Sequence, residues 1–337
     1  MRSNSKRLIC SAARAGLMVF ALCLGVAEAA TSDLERAGDE ALGRGDYRAA
    51  VDDLRHRIDA IDWKGNRTAA LAEAIQAHQA LGRIYLRLAC YAQAVVEFEF
   101  AIASLEKRDG ALSNGPELWA LLQDIGTALA ERRELDLAAQ TYESVARLLQ
   151  DHGGLDRPEA ARAVNGVGAV YQVWQHPAIA EISYRQALVL ATKTGDDLLV
   201  AQIESNLGSV RESRGDLVEA ERLYQDSFKR RMLHAADRPE ELVYSYRELG
   251  DFHRTRDGPA AALDEYQHAL ASSERRFGPY HPTVIRDLEK LAKVYDELAR
   301  PRDAAAMRAR RDDLCSRRVD PAGKGEDIGM RCDLLVP

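Results

Sequence analysis

Aromatic side chains make up only 6% of this 337-residue chain, and prolines (10) and cysteines (5) are sparse for its length. β-Branched residues are also thin, while alanine, leucine and arginine recur throughout. That balance disfavours sheet and favours helix, because alanine gives up no side-chain entropy on ordering. Several chemistries have no sequence basis. There is no H-E-x-x-H and no C-x-x-C for a metal or a dithiol. There is also no G-x-x-x-x-G-K-[ST] to cradle phosphate and no G-x-S-x-G nucleophile elbow. No basic face is evident at a formal charge of −7, which argues against nucleic acid and against an anionic membrane surface. What is present suffices for a folded core: 46% hydrophobic and 29% charged residues.

The one long apolar run, Ala15 to Ala27, falls short of the roughly 20 residues a membrane-spanning helix needs. Arg2, Lys6, Arg7 and Arg14 precede or enter it, and Ala27-Glu28-Ala29 follows with small residues where a signal peptidase reads. Residues 1–29 are therefore expected to be a cleaved secretory signal, placing the protein in the periplasm or outside the cell. No membrane span is expected after cleavage. The segment removes four bases and one acid, so the remainder is more acidic still. Cys90, Cys315 and Cys332 survive cleavage. Cys315 and Cys332 close a short loop and are candidates for a disulfide in an oxidising compartment, the alternative being two free thiols near the chain end.

From residue 32 onward the chain repeats itself. Gly38, Gly82, Gly126, Gly168, Gly208, Gly250 and Ala292 recur at intervals of 40 to 44 residues. Twelve residues after each stands an alanine: Ala50, Ala94, Ala138, Ala180, Ala220, Ala262 and Ala304. One helical turn further, six of the seven carry a bulky apolar residue: Leu54, Phe98, Tyr142, Tyr184, Tyr224 and Tyr266. Residues four apart share a helix face, so each unit reads as a helical hairpin whose small residues let two backbones cross closely. Breakers separate the units at Gly65-Asn66, Asp109-Gly110, Gly153-Gly154, Gly195-Asp196 and Gly278-Pro279. The seventh unit has Arg308 where the aromatic is expected, as suits a polar end cap.

This pattern resembles the tetratricopeptide repeat, over about Ser32 to Arg311. The long period and the segment Phe277-Gly278-Pro279-Tyr280-His281-Pro282 resemble the variant found in kinesin light chains and in exported bacterial relatives. The resemblance implies an all-α fold, a right-handed solenoid of seven antiparallel helix hairpins. The expected division is signal 1–29, solenoid 30–315 and tail 316–337. It also implies a non-catalytic scaffold that binds a protein or extended peptide in its concave groove, with no cofactor and no metal. An exported module for lipid, glycan or cell-wall fragments is the second reading.

The resemblance places groove residues three before and one after each small anchor. These are Gln79 and Arg83, Gln123 and Thr127, Asn165, Ser205 with its neighbour Asn206, and Arg247 with Asp251. Amides donate and accept together, so such a row suits the backbone of an extended peptide. Arg254 and Lys293 add charge towards the C-terminus. His281 and His176 stand beside prolines and read as turn residues.

Overall fold

The computed structural model describes residues 33–110, 115–236 and 238–316, with two short strands at 318–319 and 328–329. The expected signal at 1–29 and Cys332 lie outside the described residues. Among the described residues fourteen helices form seven hairpins. The first is α1 (Asp33–Arg44) with α2 (Tyr47–Asp59) and the second α3 (Arg67–Arg87) with α4 (Tyr91–Asp109). The third pairs α5 (Pro116–Glu131) with α6 (Leu135–Asp151), and the fourth α7 (Pro158–Val173) with α8 (Pro177–Thr194). Then follow α9 (Asp197–Ser213) with α10 (Leu217–Leu233), and α11 (Glu240–Asp257) with α12 (Leu263–Phe277). The last is α13 (Thr283–Glu297) with α14 (Pro301–Ser316), after which β1 (Arg318–Val319) and β2 (Ile328–Gly329) pair antiparallel. Those two strands depart from the all-helical expectation; β1 lies against α2.

Local chemistry sets the hairpin boundaries. Asn66, Asp196 and Asp216 accept backbone N–H groups in the first turns of α3, α9 and α10, and Pro116, Pro158 and Pro177 open α5, α7 and α8. Six intra-hairpin turns share one closure. A residue of left-handed backbone (Gly45, Ala89, Arg133, Gln175, Gly215 or Ala299) lets the next amide bond the carbonyl five residues back, as Cys90 does to Tyr85.

The small anchors and the bulky residues meet within each hairpin. A Cβ added at Gly82 would lie 2.5 Å from the Phe98 ring, and at Gly126, Gly168 and Gly250 it would lie 2.7–2.8 Å from Tyr142, Tyr184 and Tyr266. The ring of the second helix therefore fills the space the glycine leaves on the first. Each tyrosine hydroxyl then bonds back to that first helix: Tyr142 to Thr127, Tyr184 to Gln172, Tyr224 to Glu212 and Tyr266 to Asp251. In the end hairpin, Arg308 instead pairs with Asp296 at the surface.

Consecutive first helices touch one another along α1, α3, α5, α7 and α9, while consecutive second helices diverge. The first helices thus line the inside of the curve, and side chains such as Ile182, Val189 and Val218 of the second helices face outward. The curve closes on itself. α12 meets α1, the Tyr47 hydroxyl donates to the Tyr280 carbonyl, and a Cβ on Gly43 would collide with the Phe277 carbonyl oxygen at 2.0 Å. Val284, Ile285, Leu288 and Leu314 of the seventh hairpin share one hydrophobic cluster with Leu42 and Tyr47 of the first, whereas the sixth hairpin's Tyr266 and Phe252 belong to separate clusters. The seventh hairpin is thereby joined to the first as part of one core.

Candidate functional site

The site suggested by the sequence is the inner wall made by the first helices. There the structure brings the expected groove residues into register, most of them bonded to a neighbouring hairpin, while Thr127 bonds within its own, to the Gln123 carbonyl and the Tyr142 hydroxyl. Gln79 Nε2 (3.1 Å) and Arg83 Nε (3.0 Å) both donate to Asp124 of the following hairpin. Asn206 Nδ2 donates to Asn165 Oδ1 at 2.9 Å, and Ser205 Oγ donates to Glu248 at 2.6 Å. Lys290 Nζ donates to both oxygens of Asp251. In each case the acceptor or donor on the later hairpin sits two residues before its own anchor. Gly166 occupies that place in the fourth hairpin and has no side chain to offer. Gln123 accordingly reaches the Glu159 backbone carbonyl instead, at 3.0 Å.

Arg247 shows the same rule with its charge reversed. The place two before the next anchor is Lys290, a like charge, and Arg247 turns to Asp287 (Nη2 to Oδ2, 2.7 Å), with the Thr283 carbonyl and the Ser273 hydroxyl completing the cage. Burial disfavours the Arg247 charge, and Asp287 outweighs that, so its pKa ends above the usual value. Asn165, Asn206, Ser205 and Arg247 are buried, whereas Gln79, Arg83, Gln123, Thr127 and Asp251 keep partial exposure. The amide row thus welds hairpin to hairpin, and the partly exposed members are the ones a ligand could meet. Asp124, Glu248, Asp287 and Lys290 were not singled out in the sequence. A fixed offset of two from the anchors would have found Asp124, Glu248 and Lys290; Asp287 stands five before Ala292 and carries no such signal.

Further along the inner wall, α13 presents Arg286, Lys290 and Lys293 at helical spacing. Arg286 faces Tyr91 and Glu131, from the second and third hairpins, across the closed ring. Burial, then the nearby Arg247, pushes the Arg286 pKa below its usual value; Glu131, Asp287 and Tyr91 offset only part of that. Burial likewise lowers Lys290, against the pull of Asp251.

His281, read from the sequence as a turn residue, is in the turn before α13 and wholly enclosed at the seam. Its ring stacks on Phe277 at 4.9 Å, Nδ1 accepts from the Thr283 amide, and Nε2 has no hydrogen-bond partner. Burial, then Arg87, Arg276 and Arg247, holds its pKa well below 6.5, so it is neutral.

Cys315 is disulfide-bonded, and Cys90 is buried, its Sγ donating to the Leu88 carbonyl at 3.6 Å. Among the described residues no three His, Cys, Asp or Glu side chains converge as a metal cluster, and no helix is long and apolar enough to cross a membrane.

Residues 241–308 match the family model described as tetratricopeptide repeat. Two Arabidopsis thaliana proteins are similar in sequence. Kinesin light chain-related 2 is 23% identical over 82% of this chain and 42% of its own length, and kinesin light chain-related 3 is 22% identical over 67% and 35%. The chain therefore spans about two fifths of the length of these relatives. Among solved structures, a Rap protein complexed with competence and sporulation factor matches with a TM-score of 0.55 at 13% identity, covering 84% of this chain and 94% of that one. The apo form of RapI matches with a TM-score of 0.54 at 11% identity, covering 84% and 96%.

Proposed function

We propose that this chain, whose residues 241–308 match the tetratricopeptide-repeat model and whose sequence is similar to kinesin light chain-related proteins, is a non-catalytic scaffold. It takes a protein or an extended peptide segment against the inner wall of its superhelix. The observation that carries this reading is the wall itself. The first helices that touch in succession, α3, α5 and α9 among them, carry Arg83, Asp124, Thr127, Gln202 and Ser209, all partly exposed. Repeat arrays present such faces as extended binding surfaces, because each hairpin adds one increment of the same wall. The Rap structure, of similar fold, is itself a complex with competence and sporulation factor. We further propose that the scaffold works outside the cytoplasm, on the basic, apolar and small-residue pattern of residues 1–29.

The test is cross-linked co-purification from the envelope fraction, with the tagged full chain as bait and mass spectrometry as readout. A partner recovered in stoichiometric amount, and lost with Arg83→Glu, is expected. Recovery of none after cross-linking removes the scaffold reading. N-terminal sequencing of the exported product tests the signal: a start at or near Ala30 is expected, and an intact Met1 in the cytoplasmic fraction overturns it. Stabilisation by small lipids or glycans in a melting screen would favour a small-ligand module instead.

A further inference from the structure

Where the seventh hairpin closes the ring on the first, the C-terminal segment crosses the seam. α14 belongs to the seventh hairpin, and β1, which follows it directly, lies against α2 of the first. Just before the crossing, Leu314 is buried in the cluster that also holds Leu42 and Tyr47 of the first hairpin. α14 has little else to hold it, since Ala304 is its other buried side chain.

The strand pair at the crossing is too small to hold itself. β1 and β2 join through two residue pairs, Arg318 with Gly329 and Val319 with Ile328. A two-stranded ribbon is marginal in water even at ordinary strand length, so this one needs a further tie. Cys315 is disulfide-bonded. Its partner is not Cys90, whose thiol donates to the Leu88 carbonyl. Cys10 and Cys23 lie in the segment expected to be removed on export, which leaves Cys332. The strand register points the same way. Cys315 stands three residues before Arg318, and Cys332 three residues after the facing Gly329, so the two cysteines occupy matched ends of the ribbon.

We propose that a Cys315–Cys332 bond makes the C-terminal segment a latch across the seam, and that reducing the bond loosens the closed ring. The chemistry is thiol–disulfide exchange with a dithiol. One thiolate of the dithiol attacks a sulfur of the bond to form a mixed disulfide, and its second thiol resolves it. Two electrons and two protons pass to Cys315 and Cys332, which become thiols, and the dithiol leaves as a disulfide. Cys315 is only partly buried, which leaves the bond open to attack. In an oxidising compartment the latch stays shut. The seam beneath it carries a cost of closure: His281 is enclosed there with Nε2 unpartnered, facing Arg87, Arg276 and Arg247.

Tryptic mapping of the full chain, purified without reductant and alkylated under denaturing conditions, tests the bond. A fragment of residues 312–317 joined to one of residues 332–337 is expected. Cys315 joined to any other cysteine, or alkylated, overturns the proposal. Amide exchange with and without dithiothreitol tests the latch. Reduction is expected to speed exchange in α1, α2 and the 277–282 turn by up to about a hundredfold, the scale for freeing a loop of this length. Exchange in α7 to α10 stays as it was. Cys332→Ser, which removes the bond and leaves Cys90 alone, reproduces that pattern without dithiothreitol and responds no further to it. Unchanged exchange at the seam on reduction, an equal rise along the whole solenoid, or a further response of Cys332→Ser to dithiothreitol overturns the latch. Neither readout involves a partner, so the latch and the scaffold reading stand or fall separately.

Discussion

Gly82→Ala should destabilise the protein, and Gly208→Ala should not. An added Cβ at Gly82 would lie 2.5, 2.8 and 2.9 Å from three carbons of the Phe98 ring. Non-bonded carbons sit about 3.5–4.0 Å apart, so the ring would have to retreat by roughly 1 Å. Phe98 is fully buried in the second hairpin and has no space to enter. Forced overpacking of this kind costs about 1–3 kcal/mol. Alanine recovers about 1 kcal/mol of helix propensity over glycine in a helix interior, leaving a net loss of up to about 2 kcal/mol. At Gly208 the nearest Tyr224 ring atoms would be 3.1, 3.2 and 3.3 Å away, a contact relieved by a few tenths of an ångström. There the propensity gain about cancels the crowding, within roughly 0.5 kcal/mol.

The assay is urea unfolding of both variants, with amide exchange in α3 and α4 against α9 and α10 to localise the loss, since repeat arrays can unfold in parts. Gly82→Ala/Phe98→Leu supplies the coupling control: removing the ring should recover most of the loss, a non-additivity expected of residues in contact. If Gly82→Ala proved as stable as Gly208→Ala, the picture of rings seated on bare glycines would be refuted.

Acidification should loosen the seam through His281. Its folded pKa lies below that of the unfolded chain, so its contribution to stability is complete above about pH 6.5 and falls by about 1.4 kcal/mol per unit as pH drops below that. Buried Glu204 and partly buried Glu241, whose pKa values are raised above the usual carboxylate range mainly by burial, act in the opposite sense as they protonate. The difference between wild type and His281→Gln in pH-dependent melting therefore isolates the histidine, and a difference flat from pH 7 to 5 would contradict its burial. Arg247→Met should cost about 3–5 kcal/mol by stranding Asp287 in the core, and Arg247→Met/Asp287→Leu should recover much of it in the same unfolding assay. Gly43→Ala sets a methyl group against the Phe277 backbone, which cannot yield; faster proteolysis between residues 277 and 282 and a larger radius of gyration in solution scattering are expected. Gln175→Gly relieves an exposed residue held at φ 60° and should be neutral to stabilising by up to about 1 kcal/mol, read as a melting shift.

The hairpins were legible because their determinants are close in sequence. Gly126 and Tyr142, or Gly168 and Tyr184, are sixteen residues apart, on two helices joined by one short turn, and the pattern is restated down the chain. The groove row was legible as positions but not as bonds. Asn165 looked like a side chain offered to a ligand, and it is the acceptor for Asn206. Its partner could be identified only once the rise from one hairpin to the next was known. His281 looked like a turn residue between prolines. Phe277 and Arg276 are its sequence neighbours, but its enclosure also brings Arg87 and Arg247 from two distant helices, which that neighbourhood does not announce.

The sequence by itself determined the unit: helix, turn, helix, with a bare position facing a ring and a polar residue waiting on the inner side. These are short-range relations, dictated by helical periodicity and by the size of a side chain. Tertiary structure alone decided that seven such units close, so that Gly43 meets Phe277 and the seventh hairpin joins the core of the first. It decided, too, that Arg286 comes to face Tyr91 and Glu131 across the ring. Small rotations from each hairpin to the next add up over the whole array, and their sum is not a property of any one repeat. Closure therefore appears only in the assembled superhelix.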